Sequence, residues 1–467
     1  MNSGIGNFKY PTLLLVGGGV FLSTMDSSMV NVALPFIMGD FGSTLLTTQW
    51  VVLIYLLSIT VTLLFWGIVA DHFGTFRVYF TGIAVFISAS VCCSLAPSLA
   101  VLIALRSVEG LGAAMMMASG PAIVRDVFPR NELGRGLGLV GIATSAGLMS
   151  GPVVGGVLIS QVSWRVIFLV SVPIGVSIVV LGFIRRRGSE PDQVAPQRSF
   201  DWKGAAMWGV LITSLVLYAH FLPRLDLIWK IGGSAWLAAA GALFYGAEKT
   251  RKSNILPLHL FAKNYYHIGL ITASLSFASL FAVLVLMPFY LTHVRGLGGD
   301  MVGMMMMAVP LTLFIVSPTA GMLYDRLGSR LLTTLGLSIC TLSLLGLAMI
   351  DGDTRLAVIF FILALLGMGQ SMFLAPNTAS LLSRIPEGDA GVTSGLLATS
   401  RNLGMLIGAA AASMIFSAWY GYFSSGDELG TYRALMEPVF VSSLRATMLC
   451  LAALAGVNVC ISWRRER

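Results

Sequence analysis

Long, uninterrupted apolar runs follow one another along this sequence and limit what it can fold into. The first run includes TLLLVGGGVFL, Thr12–Leu22, in which threonine is the only polar residue. A run of about 20 apolar residues spans a bilayer as an α-helix. Only 11% of the residues are charged, far below the ~25% of soluble domains. Because the runs do not alternate with period two, the sequence predicts an all-α polytopic membrane protein with fourteen transmembrane helices, and excludes a β-barrel.

The positive residues predict how these helices are oriented. Most of the 29 lysines and arginines fall in predicted loops on the side of the two termini, as in RRRGSEPDQVAPQR after the sixth span. Cytoplasmic loops carry such an excess. We therefore expect both termini in the cytoplasm. The net charge of +8 follows from this topology, and no basic-aromatic patch indicates nucleic-acid binding.

The same polar segment divides the chain. Residues 1–190 are predicted to form an N-terminal six-helix bundle, residues 191–256 a linker with two inserted transmembrane helices, and residues 257–467 a C-terminal six-helix bundle. Related halves that face each other across a central site are a transporter architecture. The predicted fold is therefore two six-helix bundles plus two inserted helices.

A short loop motif of the form Gly-x3-Asp-basic-x-Gly occurs once in each predicted bundle. Its residues are Gly67, Asp71, Gly74 and Arg77 in the first, and Gly321, Asp325, Arg326, Gly328 and Arg330 in the second. Glycine lets helix ends approach, aspartate caps a helix, and arginine binds carbonyls or a carboxylate. The motif predicts a clasp that holds a helix pair in one of two positions. The alternative is a plain topology anchor.

Four charged residues lie inside predicted spans: Asp26, Arg106, Glu109 and Arg401. Charge inside a membrane is costly and is therefore interpreted as functional. Unpaired in apolar surroundings, Asp26 can accept a proton near neutral pH, and a site that holds either a proton or a cation exchanges one for the other. The alternatives are that Asp26 only bonds hydroxyls or a neighbouring helix, and that Arg106 and Glu109 neutralise each other or hold helices together. Arg401 either lines the pathway or snorkels.

Small residues follow a regular pattern along the fifth predicted span. They are Gly138, Gly147, Gly151, Pro152, Gly155 and Gly156. Small residues allow very close helix packing, and an internal proline can kink a helix. The pattern predicts a bent, glycine-lined contact between helices that slides or seals.

Sequence motifs of enzymes are missing. The chain has no HExxH, no nucleotide-binding P-loop and no GxSxG. Its five cysteines lie in apolar segments and form no CxxC, which indicates packing residues. We expect no enzyme activity, no catalytic residue, no metal and no cofactor.

Taken together, these motifs resemble the major facilitator superfamily and, within it, the fourteen-span drug:proton antiporter family. MDSSMVNVALP resembles the signature of the first span, and QWVVLIYLL, Gln49–Leu57, the start of the second. The glycine pattern of the fifth span is similar to the antiporter motif at every fixed position, and that motif marks exporters. LLATSRNLG resembles a stretch of span thirteen, so the resemblance covers essentially the whole chain.

The resemblance implies roles for individual residues. Asp26 resembles the first-span acid that handles protons or cations, and Arg106 the span-four arginine linked to proton transfer. The two loop motifs resemble the family's conformational motif. Asn31, within the first-span signature, and Arg401 are candidates for the transport pathway.

The sequence also departs from the family pattern. His72 stands where arginine or lysine is usual, which weakens the predicted clasp of the first loop. Glu109 stands where glutamine is usual, so we expect a second titratable group beside Arg106. Spans nine and ten hold no acid, which favours monovalent or neutral substrates.

The sequence thus predicts a proton-coupled antiporter of a bacterial cytoplasmic membrane that exports amphiphilic drugs, dyes and lipophilic cations by alternating access. The proton gradient is the expected energy source. The expected partners are a small amphiphilic substrate, protons and the lipid bilayer, with no nucleic acid, and a monomer suffices. The alternative is an exporter of one endogenous metabolite, such as a siderophore. A non-transporting membrane sensor or enzyme is less favoured.

Overall fold

The computed structural model describes residues 6–128, 133–186, 202–222, 225–250, 258–261, 263–384, 390–424 and 436–465. These ranges are mostly α-helical, with one π-helical turn at Tyr290–Val294, and they contain no strand. The helices are α1 (Gly6–Phe41), α2 (Leu45–Thr48), α3 (Trp50–Phe73), α4 (Thr75–Ser94), α5 (Leu99–Val127), α6 (Leu133–Gln161), α7 (Val166–Arg186), α8 (Trp202–Phe221), α9 (Leu227–Thr250), α10 (Leu258–Phe261), α11 (Asn264–Phe289), α12 (Gly299–Met306), α13 (Ala308–Leu327), α14 (Ser329–Leu347), α15 (Leu356–Leu382), α16 (Ala390–Phe423) and α17 (Glu437–Trp463).

Thirteen helical segments within the described ranges are long and apolar enough to cross a membrane. The predicted span at 203–222 is α8, whose apolar stretch, Lys203–Tyr218, is shorter than the others. The predicted span at 301–323 is two helices, α12 and α13, which meet at Met307. The all-α polytopic prediction is confirmed, while the cytoplasmic placement of both termini stays a prediction.

Glycines of the two loop motifs set the same backbone geometry in both places. Gly74 has φ 98° and joins α3 to α4, and Gly328 has φ 76° and joins α13 to α14. Each N–H bonds the carbonyl four residues earlier, on Ala70 and Tyr324 respectively. Only glycine adopts this left-handed conformation without strain, and it is a common way to end a helix. These positions are therefore intolerant of side chains in both loops.

The helices pack in two groups with matching partners. In the first, α1 packs on α5, α6 and α7, while α5 packs on α3 and α4. In the second, α11 packs on α16 and α17, while α15 packs on α13 and α14. Contacts between the groups join α6 to α12, α3 to α16, and α1 to α11. The domain boundaries at residues 190 and 256 stay a prediction, because residues 187–201 and 251–257 lie outside the described ranges.

Close glycine contacts recur at equivalent places in the two groups. A Cβ on Gly110 would lie 2.7 Å from the carbonyl oxygen of Tyr55 in α3, and one on Gly147 would lie 2.6 Å from that of Phe21 in α1. The counterparts are Gly367, Gly369, Gly404 and Gly408, each the same number of positions after Gly110, Gly112, Gly147 and Gly151. Backbone carbonyls of α13, α14 and α11 lie against these counterparts. This spacing extends the internal repeat well beyond the loop motif that predicted it.

The two inserted helices, α8 and α9, lie on the outside of this arrangement. α8 packs on α3 and on α16, one helix from each group, and the indole N–H of Trp208 donates to the Thr60 carbonyl at 3.2 Å. α9 packs on α8 and leaves large apolar side chains such as Ile228 and Leu243 exposed. In a membrane these side chains face lipid.

Candidate functional site

Three of the four predicted intramembrane charges meet in one place. Asp26 lies on α1, and Arg106 and Glu109 lie one turn apart on α5. The Arg106 Nη1 atom donates to Asp26 Oδ2 and to Glu109 Oε2, each at 2.7 Å. All three side chains are 0% exposed. We call Asp26, Arg106 and Glu109 the charged cluster.

Aromatic rings and a backbone carbonyl fix the guanidinium of Arg106. Its Nε donates to the carbonyl of Val51 at 3.2 Å. Its Cζ atom lies 4.2 Å from the centre of the Tyr55 ring and 5.7 Å from that of Phe168. Such cation–π contacts favour a desolvated cation. Arg106, on α5, is therefore held by two further helices, α3 and α7.

Glu109 has donors that the sequence analysis did not identify. The Ser90 hydroxyl donates to Glu109 Oε1, and the Cys93 thiol lies 3.6 Å from Oε2. Both residues come from α4, where they are one turn apart in ISASVCCS. Their spacing, which places both side chains on one face of α4, was the sequence feature that could have indicated these two donors. Cys93 thus contacts the site and does more than fill space.

Glycines bring the supporting helices close enough for these contacts. A Cβ on Gly112 would lie 2.7 Å from the Gly82 carbonyl oxygen, closer than real Cβ atoms approach, so α5 and α4 meet at backbone distance. Gly110 gives α5 the same close approach to Tyr55 in α3. Small residues at a helix interface permit such packing. The donors on α3 and α4 reach the charged cluster for this reason.

The charges of the cluster do not balance. Two carboxylates face one guanidinium, so the fully ionised cluster has a formal charge of −1. Within the described part of the chain, Asp26 Oδ1 and Arg106 Nη2 have no hydrogen-bond partner. A buried excess charge is costly unless it is neutralised. The geometry therefore favours the uptake of one proton or one cation.

Glycines of the predicted antiporter motif press α6 onto the part of α1 that carries Asp26. A Cβ on Gly151 would lie 2.7 Å from the Met25 carbonyl oxygen, and one on Gly155 would lie 3.1 Å from Met29 Cβ. The Ser28 hydroxyl donates across this contact to the Gly147 carbonyl at 3.4 Å. The surroundings of Gly138 lie outside what the structure describes.

The other face of α6 closes one end of the molecule against α12. A Cβ on Gly299 would lie 2.9 Å from the Gly156 carbonyl oxygen. A Cβ on Gly303 would lie closer still to the Pro152 carbonyl oxygen. The two helix groups therefore meet at backbone distance near the end of α6 and the start of α12.

At the opposite end, where the loop motifs lie, three glycines have free space beside them. A Cβ on Gly67, Gly321 or Gly395 would have no described atom within 4 Å outside its own helix turn. Arg77 and Arg326 are exposed. The side chains of the motif acids, Asp71 and Asp325, lie outside the described ones, so the predicted clasp stays a prediction.

The two predicted pathway residues have no direct contact with the charged cluster. Asn31 is buried on α1, and its Oδ1 has no hydrogen-bond partner among the described residues. Arg401 on α16 donates through Nη2 to the Thr378 hydroxyl at 2.6 Å, and its Cζ atom lies 5.8 Å from the Phe277 ring centre. No described carboxylate pairs with Arg401.

Comparison with known proteins identifies the family. The sequence profile of the Major Facilitator Superfamily matches residues 16–409, and the chain belongs to this superfamily. It is therefore a multi-pass transporter of the bacterial cytoplasmic membrane type, as the sequence predicted.

Curated relatives cover most of the chain. A riboflavin transporter of Clostridioides difficile, RibZ, is 33% identical over 88% of both chains. The multidrug resistance protein Stp of Mycobacterium tuberculosis is 32% identical over 92% of this chain and 79% of its own. Among solved structures, an inward-facing, unoccupied bacterial homologue of the human lysosomal transporter Spinster superposes with a TM-score of 0.69. It shares 14% identity over 99% of this chain and 97% of its own, and supports the fold alone.

Proposed function

We propose that this transporter is a proton-coupled antiporter that exports amphiphilic small molecules by alternating access. The observation that carries this proposal is the charged cluster, in which a fully buried site holds one more carboxylate than guanidinium. Uptake of one proton makes the cluster neutral, and release of that proton restores the negative charge. Either a proton or a cationic substrate can neutralise the excess negative charge of the cluster, but not both at once.

Within the cluster, Asp26 is the group that carries the proton. Both oxygens of Glu109 already receive hydrogen bonds, from Ser90 and Arg106. Asp26 receives one hydrogen bond on Oδ2, and its Oδ1 has no partner among the described residues. A protonated carboxyl needs an oxygen that does not already accept a strong hydrogen bond. Glu109 then sets how strongly the cluster attracts the proton, and Arg106 couples the two acids.

A difference between the two ends of the molecule supports alternating access. The end at Gly156 and Gly299 is packed at backbone distance, while Gly67, Gly321 and Gly395 at the loop-motif end have free space beside them. With the predicted topology, the loop-motif end faces the cytoplasm, where an exporter takes up its substrate. The glycine contacts of α6 with α1 and α12 permit the sliding that opens the opposite end.

The proton gradient supplies the energy in this proposal, so no cofactor is needed. A membrane potential of 100 mV is worth about 2.3 kcal/mol for each charge moved across the membrane. Exchange of one proton for a neutral substrate uses this amount together with the pH difference.

Amphiphilic drugs and lipophilic cations are the substrate class we propose. Support comes from relatives named as a multidrug resistance protein and as a tetracenomycin C resistance and export protein. Arg401 and Asn31 are the proposed pathway residues outside the charged cluster. No partner protein is required by this proposal, and a monomer suffices.

The test is substrate-driven proton flux in liposomes that contain a trapped pH-sensitive dye. Wild type is compared with Asp26→Asn and with the matched control Asp40→Asn. Asp40 lies on the same helix, but it is 44% exposed and pairs with Arg165. We expect flux on addition of a lipophilic cation with wild type and Asp40→Asn, and none with Asp26→Asn. Flux that survives in a folded Asp26→Asn protein would make Asp26 structural and contradict the proposed role.

A second candidate function is transport of one metabolite. The observation that favours it is the 33% identity to a riboflavin transporter over 88% of both chains. The same liposomes distinguish the two candidates when riboflavin replaces the lipophilic cation. Accumulation of riboflavin without any response to a panel of amphiphiles would favour the metabolite transporter.

A further inference from the structure

A second polar site lies outside the charged cluster, at the end of the molecule that carries the loop motifs. An open pocket of about 680 Å³ lies where the end of α13 meets the start of α14. Arg384, just after α15, and Trp463, at the end of α17, complete its walls. Neither proton coupling nor the proposed substrate involves this pocket.

Two arginines line the pocket, and Arg330 has a buried donor without a described partner. The Cζ atom of Arg330 lies 4.3 Å from the Trp463 ring centre, and its buried Nε has no partner among the described residues. Arg384 is exposed, and its Cζ atom lies 5.6 Å from the Tyr265 ring centre. A guanidinium presents five donors in a planar fork that matches carboxylate and phosphate oxygens. The two guanidinium groups therefore suit an anion in the pocket.

A third arginine adds positive charge behind the wall. Arg465 is 1% exposed, and it bonds Asn377 through Nη2 while Nε and Nη1 have no described partner. Burial and the nearby charge of Arg384 lower the pKa of Arg465 to about 10. Like charges this close repel each other, and an anion between them removes part of that cost.

No acidic side chain is among the described residues that line the pocket. Asp325 belongs to the same loop motif, and the structure describes its backbone alone. Arginines that only fix the orientation of the helices in the membrane have no need to line the same pocket. The grouping of Arg330 and Arg384 around one pocket, with an unpartnered buried Nε on Arg330, is what points to a ligand.

The rim of the pocket is apolar and exposed. Leu327 is 45% exposed, Leu331 40% and Trp463 52%. Tryptophan is common at membrane–water interfaces, and basic pockets between transmembrane helices on the cytoplasmic side bind lipid headgroups. We propose that this pocket binds the phosphate of an anionic lipid headgroup between Arg330 and Arg384, with the acyl chains against Leu327 and Leu331.

The test measures binding of dioctanoyl-phosphatidylglycerol to the purified full-length protein by native mass spectrometry. Dioctanoylglycerol, which has the same chains but no phosphate, is the ligand control. The variants are Arg330→Gln, Arg384→Gln and the double variant. The matched control is Arg355→Gln, because Arg355 is an exposed arginine at the opposite end of α15. Each variant is first checked for an unchanged elution volume and melting temperature without lipid.

We expect the double variant to bind the phospholipid about tenfold more weakly, since each arginine makes charge-assisted hydrogen bonds to phosphate. Arg355→Gln should bind like wild type, and dioctanoylglycerol should bind weakly to all variants. Equal binding by wild type and the double variant would overturn the proposal. The proposal would also be overturned if inorganic phosphate bound without lipid and displaced the phospholipid when both were present at equal concentration. The pocket would then be a site for free phosphate.

Discussion

The Nη1 atom of Arg106 lies 2.7 Å from Asp26 Oδ2 and holds together two helices far apart in sequence, α1 and α5. The same atom donates to Glu109 at 2.7 Å. One nitrogen therefore serves both carboxylates, so a proton on either acid changes the hydrogen bond of the other. We propose this shared donor as the physical basis for coupling between the two acids.

Replacing Arg106 by lysine should test this shared donor. Lysine keeps the charge but lacks the planar fork that reaches Val51, Asp26 and Glu109 together. Each charge-assisted hydrogen bond lost costs about 1.5–3 kcal/mol. We expect a lower melting temperature in detergent and at least about a tenfold loss of substrate-driven proton flux.

The control for that variant is Arg165→Lys, at an ion pair with Asp40 that is 36% and 44% exposed. Exposed pairs contribute only about 0–1 kcal/mol. Its melting temperature and flux should stay near those of wild type. Full flux in Arg106→Lys would show that charge alone suffices, and that the shared donor does not couple the acids.

Replacing Glu109 by glutamine should change the pH profile of transport. The variant keeps the side-chain shape but removes one acid, so the cluster is neutral when Asp26 is ionised. A proton on Asp26 would then leave a buried positive charge, which is unfavourable. We expect the pH of half-maximal proton flux to fall by about one unit or more, equivalent to at least about 1.4 kcal/mol.

The measurement is initial proton flux in liposomes across a series of pH values. Glu437→Gln, which removes an acid in the first turn of α17, serves as the control and should leave the profile in place. An unchanged profile for Glu109→Gln would mean that this acid is structural. The presence of glutamate instead of the family's usual glutamine at position 109 would then have no role in proton coupling.

Adding a methyl group at Gly151 should separate α6 from α1. The new Cβ would lie 2.7 Å from the Met25 carbonyl oxygen, so the helices must move apart. Overpacking of this kind costs about 1–3 kcal/mol. We expect Gly151→Ala to lower the melting temperature and reduce transport. Gly408→Ala should do the same from the second helix group, since its Cβ would lie 2.6 Å from the Ala278 carbonyl carbon.

The matched control is Gly241→Ala on α9, where a Cβ would have no atom within 4 Å. That variant should be as stable as wild type or slightly more so, since alanine favours helices over glycine. If Gly151→Ala and Gly241→Ala melted at the same temperature, the close contact of α6 with α1 would not contribute to stability.

Much of the fold followed from the sequence because apolar run length fixes transmembrane helices without knowledge of their partners. The loop glycines were equally informative, since Gly74 and Gly328 both adopt the positive φ that glycine tolerates. The position of α8 against α3 and α16 was not predictable. The position depends on which faces of three apolar helices fit together. A helix that is apolar on all faces has no hydrophobic periodicity that would indicate its packing face.

The charged cluster was predictable residue by residue but not as an assembly. Spacing places Arg106 and Glu109 on one helix face, one turn apart. The contact of Arg106 with Asp26 arises from packing between helices, and so do the donors Ser90 and Cys93 on α4. Small polar residues are common in transmembrane helices, so their types alone gave no reason to select these two. The glycine pattern of the C-terminal group, Gly404-x3-Gly408, was in the sequence and was overlooked.

The orientation of the molecule can be tested at the two ends of a single helix, α15. Asp353 precedes this helix and Ser383 follows it, and both are exposed. If the termini are cytoplasmic, Asp353 faces outward and Ser383 faces the cytoplasm. In a cysteine-free background, a membrane-impermeant thiol reagent should label Asp353→Cys but not Ser383→Cys in intact cells. Both should be labelled after the cells are broken, which controls for reactivity. The reverse pattern in intact cells would place the loop-motif end outside.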